Sequence, residues 1–303
     1  MTSNLAASVH QRLLNHARAT GRPFNEVLQR FALERFLYRL GQSPHGRHFV
    51  LKGAWMLTAW GVPYPRPTRD IDLLGYMENS VEEVISAVKA ICRESVTDDG
   101  LRFEAEGIAG ERIMETANYA GVCLRFAAHL GKARIPLRID VGFGDPLVPG
   151  ASTVQLPAIL DFPTPEVQGY SRESAIAEKY QIMVYRGQIN SRMKDFYDIW
   201  SLATHFSFEG PTLAQAILET FTSRGTDLSL HPIALSEAFA QDGEKQVQWE
   251  AFRRRLGRED MPADLRNVVQ NLATFLDPVT EALVEGRAFE HRWEPGHGWL
   301  PQR

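Results

Sequence analysis

The sequence predicts an α+β chain in which a mixed sheet is flanked by helices, with a helical segment before it and a helical region after it. Three observations carry this reading. Residues 24–40, FNEVLQRFALERFLYRL, place apolar side chains at helical spacing, and the pattern returns from about residue 173 to 285. Between these stretches, β-patterned runs at 49–51, 70–74, 103–108, 121–129 and 135–143 are separated by polar turns and one amphipathic helix. Residues 144–170 are then rich in proline and glycine (Pro146, Pro149, Gly150, Pro157, Pro163, Pro165), which marks a domain boundary. The expected division is N-terminal helices over 1–48, a sheet domain over 49–165 and a helical C-terminal domain over 166–303.

The elements follow in order. Residues 5–19 read as a weakly patterned helix. In residues 24–40, Phe24, Val27, Leu28, Phe31, Leu33, Phe36, Leu37 and Leu40 form the buried stripe, with Pro23 in the first turn and Gly41 as the stop. Arg30, Arg35 and Arg39 lie off that stripe, on a solvated face or against a polyanionic substrate. A short strand at 49–51 leads through Lys52-Gly53-Ala54 into an apolar helix from Trp55 to Trp60. Ser80 and Glu83 form a capping box for a helix over 81–93. The strand IPLRIDVGF carries Asp140 on the same face as Arg138, which requires either a wet edge strand or a working carboxylate. Residues 144–170 are expected to be an ordered excursion, since Leu156, Ile159, Leu160 and Phe162 can still pack. Two further helices follow, ESAIAEKYQIMVYRG and SRMKDFYDIWSLATHF. The first aligns Lys179 with Arg186, as surface cations or as working ones, and the second sets Asp195 and Asp198 together beside its core stripe. Lys194 and Asp198 could also form an exposed pair at i,i+4. Helices continue to about residue 285, and an irregular tail is expected over 286–303.

Bulk properties narrow the class. At 303 residues, with 44% hydrophobic and 23% charged, the chain has the profile of a soluble globular protein of one large or two ordinary domains. No apolar run approaches the ~20 residues that span a bilayer, and MTSNLAASVHQRLL lacks the plan of a secretory signal. Cys92 and Cys123 have no metal-type spacing, so free buried thiols in a reducing cytoplasm are expected. A net charge of -4 argues against a globally basic nucleic-acid coat and leaves room for a local basic cleft.

The stretch 51–75, LKGAWMLTAWGVPYPRPTRDIDLLG, concentrates the chemistry. Residues i and i+2 of a strand point the same way, so Asp70 and Asp72 project side by side and call for a cation. Hard divalent ions take such oxygen ligands. A strand-Gly-helix turn before the pair can bring backbone N–H groups to a phosphate. Asp140 could complete a set of three carboxylates, and Lys179 could neutralise phosphate charge. Nucleotidyl transfer needs parts of these kinds.

The motifs F-V-L-K-G-A, R-P-T-R-D-I-D-L-L-G, A-E-K, R-G and R-M-K-D-F-Y-D-I resemble the AbiEii/AbiGii nucleotidyltransferase toxin family, and ALERFLYRL and QWEAFRRRL extend the likeness over nearly the whole chain. That family belongs to the DNA polymerase β-like nucleotidyltransferase superfamily. The resemblance implies a polymerase β-like core, with the helical C-terminal domain completing the active site. It implies Asp70 and Asp72 as the acidic pair, Gly53 and Ala54 as the phosphate motif, and Thr68 and Arg66 ahead of the first aspartate. Lys179 becomes the motif lysine, and Asp195 and Asp198 the late acidic motif. Ala54 departs from the Gly-Gly or Gly-Ser common in the family, which removes a hydroxyl and keeps the backbone N–H.

The expected activity is a Mg2+- or Mn2+-dependent transfer of NMP from an NTP to an RNA acceptor, the tRNA 3′ end foremost, by a toxin paired with an AbiEi-like helix-turn-helix antitoxin. Asp70, Asp72 and Asp140 are the expected metal ligands, Asp140 alternatively a general base. Lys52, Gly53, Ala54, Arg66, Thr68, Arg69, Lys179 and Arg186 are expected to serve the nucleotide and acceptor. The alternatives are transfer to a small-molecule or protein hydroxyl, and a non-catalytic partner in a regulatory complex.

Overall fold

A computed structural model describes residues 2–63, 65–116, 119–257 and 261–302. The chain forms two compact units, one of Met1–Asp145 with Ala151–Tyr170 and one of Pro146–Gly150 with Ser171–Arg303.

The first unit opens with helices α1 (Thr2–Thr20) and α2 (Phe24–Gln42). Strand β1 (Phe49–Lys52), helix α3 (Ala54–Ala59), strand β2 (Ile71–Gly75) and helix α4 (Val81–Cys92) follow. Strands β3 (Leu101–Phe103), β4 (Ala109–Thr116), β5 (Tyr119–Leu130), β6 (Ala133–Phe143), β7 (Ser152–Gln155) and β8 (Glu166–Gly169) complete it. They make one mixed sheet in the order β3-β5-β6-β2-β1-β8-β7, with β4 also on β5. The β2–β6 and β1–β8 pairs are parallel and the other pairs antiparallel.

Alternation along β6 explains how the sheet is covered. Ile135, Leu137, Ile139 and Val141 are buried, whereas Arg134, Pro136 and Arg138 on the opposite face are exposed and Asp140 is half-buried. Helix α2 supplies the core partner, with Phe36 packed against Phe103 and Phe126 at ring distances of 6.1 and 5.9 Å. Ser80 caps α4 by accepting from the Glu83 N–H at 3.1 Å, as the capping box predicts.

Several expectations change here. Arg35 and Arg39 are buried, not solvated. Arg35 meets Glu34 at 2.8 Å and donates to the Pro163 carbonyl, and Arg39 is bidentate to Asp99 at 2.6 and 3.0 Å. The helix is enclosed on more than its apolar stripe, and each guanidinium enters with its own carboxylate. Helix α2 also runs through Gly41, where a Cβ would lie 2.0 Å from the Glu166 carbonyl oxygen, so this glycine serves close packing on β8 instead of ending the helix. The strand expected over 103–108 gives way to a 3-10 turn at Ala105–Gly107, and β4 follows unforeseen. The excursion at 144–170 is ordered and contributes β7 and β8.

The second unit contains helices α5 (Arg172–Arg186) and α6 (Met193–His205), strand β9 (Phe208–Glu209) and helices α7 (Gly210–Ser223), α8 (Glu237–Gln241), α9 (Gly243–Leu256) and α10 (Leu265–Val284). Strands β10 (His291–Glu294) and β11 (Gly298–Pro301) end it. The tail is thus a hairpin that adds β10 to β9, which corrects the irregular expectation. Its proline and glycines belong to a tight turn, closed by the His297 N–H donating to the Glu294 carbonyl. Trp293 and Trp299 pack on Phe275 at 4.8 and 5.6 Å and donate to the carbonyls of Ala203 and Phe275. Among the described residues no helix is long and apolar enough to cross a membrane.

Candidate active site

Sheet register brings the central acidic residues together. Lys52 on β1 is the direct partner of Asp72 on β2, and Asp72 is the direct partner of Asp140 on β6. Asp70 precedes β2 by one residue and shares the Asp72 face. The carboxylates of Asp70, Asp72 and Asp140 are half-buried, and one oxygen from each lies within 4.8 Å of the others. Asp140 belongs to an interior strand between β5 and β2, which removes the wet-edge explanation for it.

The surroundings fix these groups. The Asp70 carbonyl accepts from Trp55 Nε1 at 3.0 Å, and the Thr68 hydroxyl sits against the Asp70 carboxylate. Asp140 takes both arms of Arg138, from Nε at 2.9 Å and Nη2 at 2.8 Å. This bond raises the guanidinium above its usual range, where it stays charged. Cys123, register partner of Asp140 on β5, has its thiol pushed up to about 11 by burial and then by its hydrogen bond to Asp140.

Gly53 leaves β1 with φ 72° and ψ -151°, a conformation that L side chains rarely adopt. A Cβ there would fall 2.1 Å from Asp72 Oδ2, so the turn presses directly on the carboxylate. Ala54 follows as the first residue of α3 and is buried. The Lys52 ammonium is engaged by the fully buried Asp145 at 2.8 Å and lies 5.8 Å from the Tyr170 ring centre. Arg66 is half-buried in the loop before β2. Arg69 is largely exposed, 3.6 Å from Glu26.

The remaining expected residues lie in the second unit. Lys179 on α5 reaches Asp198 at 3.0 Å and Asp195 at 3.6 Å on α6, and Arg192 approaches Asp195 at 2.5 Å. Both aspartates are buried and the lysine is 16% exposed, so this is an internal charge cluster and not a set of surface ions. The exposed setting expected for Asp198 beside Lys194 is corrected accordingly. Arg186, in the last turn of α5, is half-buried.

The sequence placed one further participant without giving it a role, and missed another. Arg138 was visible as the R-x-D alternation in IPLRIDVGF, whose period of two sets both side chains on one face. Asp145 follows β6 in a Gly-Asp-Pro turn and carried no signal of its partner in sequence far away.

The donor set fits a hard divalent cation, because three carboxylates offer oxygens close enough to share one ion. An ion there would share Asp140 with Arg138.

The model of the family described as "Nucleotidyl transferase AbiEii toxin, Type IV TA system" matches residues 35–271. The fold is similar to JHP933 from Helicobacter pylori, at 16% identity and TM-score 0.45 over 84% of this chain and 92% of that one. It is similar also to an H. pylori protein provisionally described as a nucleotidyltransferase, at 14% identity and TM-score 0.40 over 85% and 96%. No curated protein matches the chain significantly.

Proposed function

Because the chain belongs to the AbiEii family of toxin–antitoxin nucleotidyltransferases, we propose that it transfers NMP from a Mg2+- or Mn2+-bound NTP to an RNA 3′ hydroxyl, with the tRNA 3′ end as the foremost acceptor. The observation that supports this reading is the gathering of Asp70, Asp72 and Asp140 against the Gly53 turn.

In this scheme the hydroxyl oxygen attacks the α-phosphorus, an O–P bond forms, and the bond to pyrophosphate breaks. A divalent cation held by the triad would supply activation of the hydroxyl and neutralisation of the leaving group. The chain's own residues set the geometry. Asp70 and Asp72 would hold the cation, and the Thr68 hydroxyl keeps the Asp70 carboxylate oriented. Asp140, held in place by both arms of Arg138, accepts the proton from the attacking hydroxyl. Backbone N–H groups of the Gly53-Ala54 turn approach the phosphates, which needs no hydroxyl at position 54. Lys52, Arg66 and Arg69 add positive charge around the triad. The family's toxin–antitoxin description implies an antitoxin, and we assign it to the AbiEi-like helix-turn-helix type.

The deciding experiment incubates the protein with each α-labelled NTP and separate pools of tRNA, other RNA, protein and metabolites, with Mg2+ or Mn2+. Label on tRNA that disappears with Asp72→Asn supports the proposal. Label confined to protein or metabolites overturns the RNA acceptor, and unchanged labelling by Asp72→Asn overturns the site.

A further inference from the structure

On the face of the sheet that carries Asp140, β5 and β6 continue into a strip of arginines. Arg125 and Arg138 are direct partners in register, and Arg134 lies four residues before Arg138 on the same face. A strand advances ~3.3 Å per residue, so Arg134 lies ~13 Å along the strand from Arg138 and ~20 Å from Asp140. A cleft of about 320 Å³ runs here, lined by Arg125, Arg134, Arg138, Pro136 and Gln29. The arginines are 55%, 63% and 46% exposed at their side chains. Gln29 closes one edge by donating to the Pro136 carbonyl at 3.1 Å.

We infer that this cleft receives the backbone phosphates of a polynucleotide acceptor, with Arg125 and Arg134 gripping the strand and Arg138 linking the grip to the carboxylate triad.

The inference rests on the nucleotidyl-transfer reading above and adds where the acceptor lies. Carboxylates repel a phosphate chain, so a strand that brings its terminal hydroxyl to Asp140 needs cations along its approach. Planar guanidiniums match phosphate oxygens two at a time, and a linear strip of them suits a polymer better than one free phosphate. The one aromatic in its lining, Phe126, is buried in the core beneath the sheet, so the cleft presents no exposed aromatic anchor of the kind a protein partner would use.

Each guanidinium has a resident carboxylate: Glu111 beside Arg125 at 2.5 Å, Glu104 beside Arg134 at 3.6 Å, and Asp140 beside Arg138. The Glu111 and Glu104 pairs are exposed, and exposed pairs are held weakly. A phosphate can displace them, and removing the carboxylate should help it.

The test measures binding of a fluorescein-labelled, mixed-sequence single-stranded RNA by anisotropy over a salt series without NTP, with bulk tRNA as competitor. The double variant Arg125→Gln/Arg134→Gln should lose tenfold or more in affinity. Its slope of log affinity against log salt should shrink by ~1–2, while calorimetric binding of NTP with Mg2+ is unchanged. Glu111→Gln, which frees Arg125, should tighten RNA binding several-fold, a gain that misfolding cannot produce. In turnover the double variant should raise KM for RNA and leave kcat. If the wild type labels RNA and the double variant binds and labels it equally well, the cleft assignment falls and the transferase reading stands. If the wild type labels no RNA pool, both fall. If polyglutamate binding is lost and RNA binding kept, the strip belongs to an acidic protein and the inference is overturned.

Discussion

Gly53 and Asp72 are in direct contact: the glycine Cα faces the carboxylate so closely that a Cβ would stand 2.1 Å from Oδ2. The position also has φ 72°. Gly53→Ala therefore meets two obstacles, backbone strain of ~1–3 kcal/mol and displacement of a carboxylate in the triad. Transfer should fall at least ~100-fold, since ångström-scale misplacement costs about that much, and urea melts should show the accompanying loss of stability. Ala54→Gly, one residue on, keeps the N–H and should retain most activity.

Lys52 and Asp145 form a pair whose carboxylate is wholly buried and whose ammonium is 12% exposed. Lys52→Met strips Asp145 of that ammonium, and breaking such a pair costs ~3–5 kcal/mol. Lys52→Met/Asp145→Asn should recover most of the loss, because the buried charge leaves with its partner. A double-mutant cycle by denaturant unfolding measures this, and NTP affinity of the recovered double variant separates a phosphate role of Lys52 from a structural one.

Lys179 sits between two buried aspartates, at 3.0 and 3.6 Å. Lys179→Met leaves a surplus of buried negative charge and should destabilise the second unit by ~3–5 kcal/mol. Activity lost in that variant cannot by itself be credited to phosphate contact. Lys179→Met/Asp198→Asn should restore the melting transition. If transfer stays absent in the refolded double variant, the lysine or Asp198 acts in the chemistry as well.

Asp277 supplies the pH dependence. Burial, then Glu281, pushes its carboxyl up to about 6, with His231 opposing, and its buried Oδ1 has no hydrogen-bond partner among the described residues. The folded state therefore holds a proton that the unfolded chain, at ~3.9, releases. This contribution to stability is fully present below the unfolded value and is lost as pH rises through about 6. Asp277→Asn stays neutral throughout. It should match the wild type near pH 4 and exceed it by ~1–2 kcal/mol near pH 7.5, a range reduced for partial exposure. Urea unfolding at the two pH values checks the sign.

What was legible followed local periodicity. The apolar stripe of α2 and the pairing of Asp70 with Asp72 are set by periods of 3.6 and 2, and both appear in the structure. What was hidden depended on partners far along the chain. No helical pattern reveals that Arg39 is buried, because Asp99 supplies its counter-charge from another element. Asp140 could be suspected from its strand, but only the β2–β6 register makes it the neighbour of Asp72. The terminal hairpin was missed because Pro295, Gly296 and Gly298 read as breakers, when they turn two aromatic strands back on each other.

The β2–β6 register also has a consequence for synthesis. A nascent chain that has exposed β1 and β2 already owns the Gly53 turn, Asp70 and Asp72, but not the third carboxylate. Asp140 arrives only when β6 has emerged and docked in parallel on β2, a non-local pairing of the kind that forms slowly. A one-residue slip in that docking would turn Asp140 to the opposite face. Under the proposed reaction, a truncated or misregistered product lacks one of the three carboxylates and should transfer no nucleotide.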